Sequence, residues 1–295
     1  MNILNSICSP LSENGNQIVF KEIRPVTPFP FPWTADLFFD AFPESRMGIA
    51  CPVDVHGLDD AGDAELIIVG YPVWFLAPAI PIHAFFQNES VKRYLQGKSL
   101  ITVCGCRNMW SMAQKRMSDY IAEAGAKWIG SIVLQDRHHN LVSAVSTVRW
   151  LIGGRKERST LFPEAGVAQR DIDNAAIFGQ IISTAIKQGS LDNLQNALMK
   201  NGAIRYKPNM VFVENAGYRI FGIWSKIILK TTAGRPRRRH LLLKLFKYYL
   251  YIVLFAISPI GLLIFHLARP LLQKSIRRNK KKQCYELISC AQMKK

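Results

Sequence analysis

Three apolar runs of strand length constrain this chain most: ELIIVGY (65–71), SLITVCG (99–105) and KWIGSIVL (127–134). None shows the apolar–polar alternation of a strand with one wet face, so each is expected to be covered on both sides. Helical patterns lie between and after them. Residues 81–96 carry apolar side chains at Ile82, Phe85, Phe86 and Tyr94 and stop at Gly97, and residues 112–126 stop in the same way at a glycine. Residues 171–189 start at an Asp cap, Asp171 or Asp173, and end at Gly189. Ahead of these, IVFKEI (18–23) reads as a strand and TADLFFDAF (34–42) as a short helix. Apolar strands alternating with helices predict an α/β fold with a doubly wound parallel sheet.

Charge separates the chain into two parts. The formal net charge is +17, which taken whole suggests a nucleic-acid partner. Residues 231–295, however, hold 15 Lys or Arg against one acid, Glu286, and so carry +14 of it. The remaining 23 basic and 20 acidic residues leave residues 1–230 at +3, close to neutral. Cys8, Cys51, Cys104, Cys106, Cys284 and Cys290 form neither a disulfide framework nor a zinc pattern. Reduced thiols in a cytosolic compartment, and no metal, are expected. The first residues lack a basic stretch ahead of an apolar one, which predicts no secretory signal.

The tail explains its own charge. From Tyr248 to Ala268 run 21 residues without Lys, Arg, Asp or Glu, long enough to cross a hydrocarbon core as a helix. Tyr248, Tyr249 and Tyr251 stand at one end, as interfacial aromatics do. Six Lys or Arg precede the run within 235–247 and seven follow within 269–282, so the positive-inside rule gives no direction. Two arrangements stay open: a kinked single span, or a re-entrant or interfacial hairpin turning at Ser258-Pro259-Ile260-Gly261. Both place the protein on a membrane, with anionic lipid rather than nucleic acid as the basic tail's partner. The expected organisation is an α/β domain over 1–189, an extension and basic linker over 190–234, the membrane segment over 235–282 and a tail over 283–295.

In an open parallel sheet, ligands bind at the carboxyl ends of the strands. Three loops fall there. Gly70 to Pro78 (GYPVWFLAP) offers backbone N–H groups and Trp74 or Phe75 to a flat aromatic ligand, or else packs on its own domain. In Gly105-Cys106-Arg107-Asn108-Met109-Trp110, Arg107 and Asn108 offer donors to carbonyl or phosphate oxygens, although Asn108 also suits a helix cap. In Gln135-Asp136-Arg137-His138-His139-Asn140, the His pair beside an Asp suits proton transfer near neutral pH, with an ordinary polar loop as the alternative. The candidate catalytic residues are therefore His138, His139 and Arg107.

The segments IRPVTPFPFPW, FPESR, YPVWFLAPAIPI, GCRNMW and LQDRHHNLVSAVSTVRWLIGGRK, with the basic apolar tail, resemble the flavodoxin-like proteins of dialkylresorcinol biosynthesis, the dialkylresorcinol condensing enzyme family. The likeness covers about residues 18–272. It implies a flavodoxin-like sheet and an FMN cofactor whose ring rests on Pro72, Val73, Trp74, Phe75, Leu76, Ala77, Gly105, Cys106, Arg107, Asn108, Met109 and Trp110. It also implies a ketosynthase partner that makes an alkylated cyclic ketone, which the flavin aromatises by oxidation. A main domain in the cytoplasm, attached to the membrane, suits such a greasy substrate.

One part of that pattern is not found in the chain. The family's first strand and its Ser/Thr/Gly phosphate loop are expected before IVFKEI, where NILNSICSPLSENG matches only the later half of a first helix. The expectation is a sheet lacking its first strand, with FMN binding impaired for want of the phosphate's charge-assisted hydrogen bonds. A flavin-free scaffold or non-catalytic membrane adaptor is the alternative function.

Overall fold

A computed structural model describes residues 2–55, 58 and 62–290. The chain opens with α1 (Asn2–Glu13), then β1 (Arg24–Pro25), α2 (Ala35–Asp40), α3 (Phe42–Met47) and β2 (Val53–Asp54). The main sheet follows: β3 (Leu66–Trp74), a two-residue return β4 (Ala77–Pro78), α4 (Ile80–Gln87), α5 (Glu89–Leu95), β5 (Ser99–Cys106), α6 (Ser111–Glu123) and β6 (Lys127–Gln135). Helices complete the chain: α7 (Asn140–Gly153), α8 (Gln169–Asp173), α9 (Ala176–Lys187), α10 (Leu194–Lys200), α11 (Pro208–Thr232), α12 (Pro236–Ile252), α13 (Ser258–Lys281) and α14 (Leu287–Cys290).

The three apolar runs are the three parallel strands, in the order β4-β3-β5-β6, with β4 antiparallel. Successive side chains along β5 alternate between two cores, as the period of a strand requires. Leu100 and Cys104 face Phe86, Val91, Met117, Ile121 and Trp128 from α4, α5, α6 and β6. Ile101 and Val103 face Ile7, Phe178, Ile182 and Leu198 from α1, α9 and α10. The result is a mixed α/β layer structure with helices on both faces of a parallel sheet. Glycines set two of the close approaches. A Cβ on Gly70 would lie 2.7 Å from Leu4, and one on Gly179 would lie 2.0 Å from the Ile7 carbonyl oxygen, so α9 presents bare backbone to α1.

Several expected elements take another form. Among the described residues, residues 18–23 join no ladder, and the pairing nearby is the two-residue antiparallel match of β1 with β2. Ile18 and Ile23 do pack against opposite cores, as strand alternation gives, but among the described residues no strand pairs with the segment. The 81–96 helix is cut at Asn88, whose side chain accepts from the N–H groups of Ser90 and Val91 and starts α5 afresh. The 171–189 helix is likewise two helices. Asp171 caps neither, and its carboxylate pairs with Arg137 instead.

The extension is the largest difference. Over 190–234, expected as an extension and basic linker, the chain forms α10 and the 25-residue α11. Helical structure then continues unbroken from Pro236 to Glu286, 51 residues with mean hydropathy 2.3 in its most apolar stretch. Five π-helical residues, Val253–Ile257, precede Ser258-Pro259, and the chain does not turn back there. Pro259 lies inside this continuous helix and donates no N–H, and the π segment just ahead of it is the local departure from α geometry that accompanies the break in the ladder.

Candidate functional site

Strand pairing brings the candidate loops to one rim. Pro72 of β3 stands opposite Gly105 of β5, and Cys106 opposite Gln135 of β6, so the loops after all three strands leave the sheet at its carboxyl end. The loop at 74–77 is a two-residue hairpin turn with Phe75 at φ 48° and Leu76 at φ 65°. Both are left-handed, as a type I′ turn demands, yet neither is Gly or Asn. The strain is on the order of 1–2 kcal/mol per residue and must be held by packing. Phe75 lies 4.8 Å from Phe38 and 5.3 Å from Phe42 between ring centroids, and Leu76 reaches Gly217 of α11. Trp74 sits edge-on to Phe29 at 5.1 Å and to Trp33 at 5.4 Å. Pro72 is exposed, Val73 half-buried and Ala77 buried.

The second loop is closed as well. Cys106, Asn108, Met109 and Trp110 are buried, with Trp110 2% exposed. The neighbouring Cys104 and burial push the Cys106 thiol pKa up, so it is held protonated. Arg107 does not reach out for a ligand. Its Nη1 donates to the backbone oxygen of Asn140 at 2.8 Å and to Asn140 Oδ1 at 2.9 Å, and Asn108 Nδ2 donates to the same Oδ1 at 2.8 Å. Asn140 thereby ties the loop after β5 to the start of α7.

The third loop is organised by Asp136, which is fully buried. Its Oδ1 accepts the His138 backbone N–H at 2.9 Å and lies 2.7 Å from His138 Nδ1, while Oδ2 accepts the Ser143 hydroxyl at 2.6 Å. A carboxylate on Nδ1 fixes the imidazole and leaves Nε2 as the exchanging nitrogen. His138 lines an open cavity of ≈ 540 Å³ with residues 158–164 and Ala168. His139 is exposed and precedes α7 without a side-chain bond to it. The structure therefore pairs Asp136 with one histidine of the two.

Across this rim lies α11, which the sequence reading did not place. Its Glu214, 1% exposed, accepts the Met112 N–H at 2.8 Å and takes over the cap that Trp110 does not provide to α6. Burial pushes the Glu214 carboxyl up to about 7, outweighing the backbone N–H groups of Met112, Ser111 and Trp110, which pull the other way. Beside it, Tyr71 Oη is buried without a hydrogen-bond partner. Arg46 binds the Tyr218 carbonyl through Nε at 3.0 Å and Nη2 at 2.8 Å and lies over its ring, and Gly222 gives it room. The helix is thus fixed along its length across the strand ends.

No protein-family model, curated protein or solved structure matches this chain. A flavin ring needs a slot between the 72–77 and 105–110 loops, and the aromatic and sulfur side chains there are spent on the protein's own core. The buried Glu214, bonded to the Met112 N–H, and the Leu76–Gly217 contact fill the approach from α11. The residues present do not fit FMN in this arrangement. Acid–base groups are present at two places: the buried Glu214, and His138 with its Nδ1 held by Asp136 at the mouth of a cavity.

Proposed function

We propose that this chain is a membrane-surface protein of dialkylresorcinol formation, which holds a flavodoxin-like α/β domain beside a ketosynthase partner and works without a bound flavin. The pathway and the partner rest on the resemblance of GCRNMW, YPVWFLAPAIPI and the other segments. The flavin-free part rests on one observation, the closure of the strand ends by α11 through Glu214, Gly217 and Tyr218. The basic tail favours the anionic cytoplasmic leaflet, which puts the α/β domain in the cytoplasm. The test is to purify the full chain in detergent and record its visible spectrum before and after adding FMN. No flavin band is expected in either; a stoichiometric band overturns the flavin-free reading.

A second reading keeps the flavin-dependent oxidation of an alkylated cyclic ketone at this rim. It is favoured by the adjacency of the two ring-side loops through Pro72 and Gly105 and by the Asp136–His138 pair nearby. It requires α11 to leave the strand ends. Product formation with the ketosynthase that survives His138→Gln, with the complex intact, supports the adaptor; product loss with the complex intact selects the oxidase.

A further inference from the structure

Resting on the membrane reading above, we propose that the helix from Pro236 to Glu286 lies flat along an anionic bilayer surface, as a two-ended strap, and does not cross it. The reason is where its ends are fastened. Ahead of the apolar run, Arg239 donates to Asp40 and to both carboxylate oxygens of Glu44 at 2.9 Å, and Phe246 stacks on Phe42 at 3.8 Å. Beyond the run, the backbone oxygens of Gln283 and Cys284 accept from Gln114 and Gln195, each at 2.9 Å, and Cys284 is fully buried in the core over the sheet. Midway, Phe265 is buried against Phe212 of α11. A crossing helix would separate its ends by a hydrocarbon core of about 30 Å. Here both ends, and the middle, are bound to one domain.

The opposite side of the helix is a continuous apolar stripe. Leu245, Tyr248 and Ile252 recur at spacings of three and four before the π stretch, and Ile260, Leu267 and Leu271 continue after it; Leu271 is 89% exposed. The π residues matter to this alignment. Five residues bonded i→i+5 turn less than α-helical ones, by roughly a quarter turn in sum, and that offset brings the two halves of the stripe onto one side.

Lipid is the occupant that the charges select. Thirteen Lys or Arg and no acid lie within 235–282, six on one side of the apolar run and seven on the other. Pairing of this stripe with a second copy, parallel or antiparallel, would set basic clusters against basic clusters. An anionic headgroup layer meets both clusters while its acyl boundary takes the apolar side chains.

The experiment adds full-length protein to preformed sealed vesicles of phosphatidylcholine, with and without phosphatidylserine. Flotation with the anionic vesicles and at least about tenfold less with the neutral ones is expected. Arg238→Cys and Lys280→Cys, both at exposed sites, are then labelled singly with a membrane-impermeant maleimide, read over the unsubstituted chain. Labelling of both without detergent is expected. Protection of either until detergent is added overturns the flat arrangement while leaving membrane attachment standing. No flotation with anionic vesicles overturns the membrane reading itself, and equal flotation with both overturns the choice of anionic lipid. Leu267→Glu, at a side chain 74% exposed, should keep the fold and lower flotation at least about tenfold; unchanged flotation overturns the stripe as the contact.

Discussion

The Glu214 carboxylate accepts the Met112 backbone N–H at 2.8 Å from a helix 102 residues further along the chain. One buried acid thereby joins the cap of α6 to the helix that closes the strand ends. The joint is costly because burial raises its pKa to about 7.

That shift fixes a pH dependence. The folded state binds the Glu214 proton more tightly than the unfolded chain, whose carboxyl titrates near 4.5. Stability from this group is therefore full below the unfolded value, falls as pH rises through the folded value, and is flat above it. Between about pH 5 and about pH 8 the loss is on the order of 3 kcal/mol at most. Glu214→Gln keeps an acceptor for Met112 and removes the titration. The buried His83, pushed down to about 4, works the other way over this range, so the effect is read as a difference. The denaturant midpoint of the variant should gain on that of the parent as pH rises from about 5 to about 8, leaving the variant the more stable at the higher pH.

Gly179→Ala should damage the layer of helices under the sheet. A Cβ at this position would lie 2.0 Å from the Ile7 carbonyl oxygen and 3.2 Å from Pro10 Cδ. Backbone cannot swing aside like a side chain, so α1 must lift from α9. A loss of roughly 1–3 kcal/mol is expected, seen as a lower denaturation midpoint, together with faster amide exchange in α1. Gly153→Ala, where a Cβ meets nothing within 4 Å, is the control and should not destabilise.

What was legible in the sequence was what short-range pattern controls. The three parallel strands are fully apolar, are flanked by turn residues and return in the structure within a few residues of their expected bounds. The joints were less legible. Asn88 and Asn174 interrupt helices whose apolar spacing runs straight through them, because a cap is a local choice that periodicity does not carry. Segment 18–23 had strand composition, but a ladder needs a neighbour that composition does not supply. Helix α11 was missed although Pro208 at its first turn and Gly234 after its end were start and stop signals. Glu214 had no local signal at all, since its partner lies in another element. In the third loop, Asp136 and His138 were readable as neighbours, but only the fold shows that the buried carboxylate turns to His138 and leaves His139 exposed.

The Asp136–His138 pair gives a contrast between scaffold and chemistry. Asp136→Ala strands the His138 N–H and the Ser143 hydroxyl, both now bonded to it, and should destabilise by about 1–3 kcal/mol or more. His138 is half-buried at the cavity mouth, and His138→Gln should change stability by less than about 0.5 kcal/mol. Thermal or denaturant unfolding in detergent measures both. A large loss in the His138 variant would mean that the ring is a packing element and not a group free to exchange protons.

Phe246 is the apolar counterpart of the Arg239 anchor. It is fully buried, stacks on Phe42 with 5° between the planes, and meets Phe221 at 5.4 Å and Trp224 at 5.7 Å. Phe246→Ala should cost about 3–5 kcal/mol where that cluster forms a cooperative unit with the domain, because these three aromatic neighbours, and Phe39 at 6.3 Å, lose their common partner. Phe255 lies nine residues on along the same helix and is 51% exposed, so Phe255→Ala should leave stability in detergent almost unchanged. Unfolding midpoints report the difference. Equal, small effects in the two variants would show that α12 is not held against α3 by this stack.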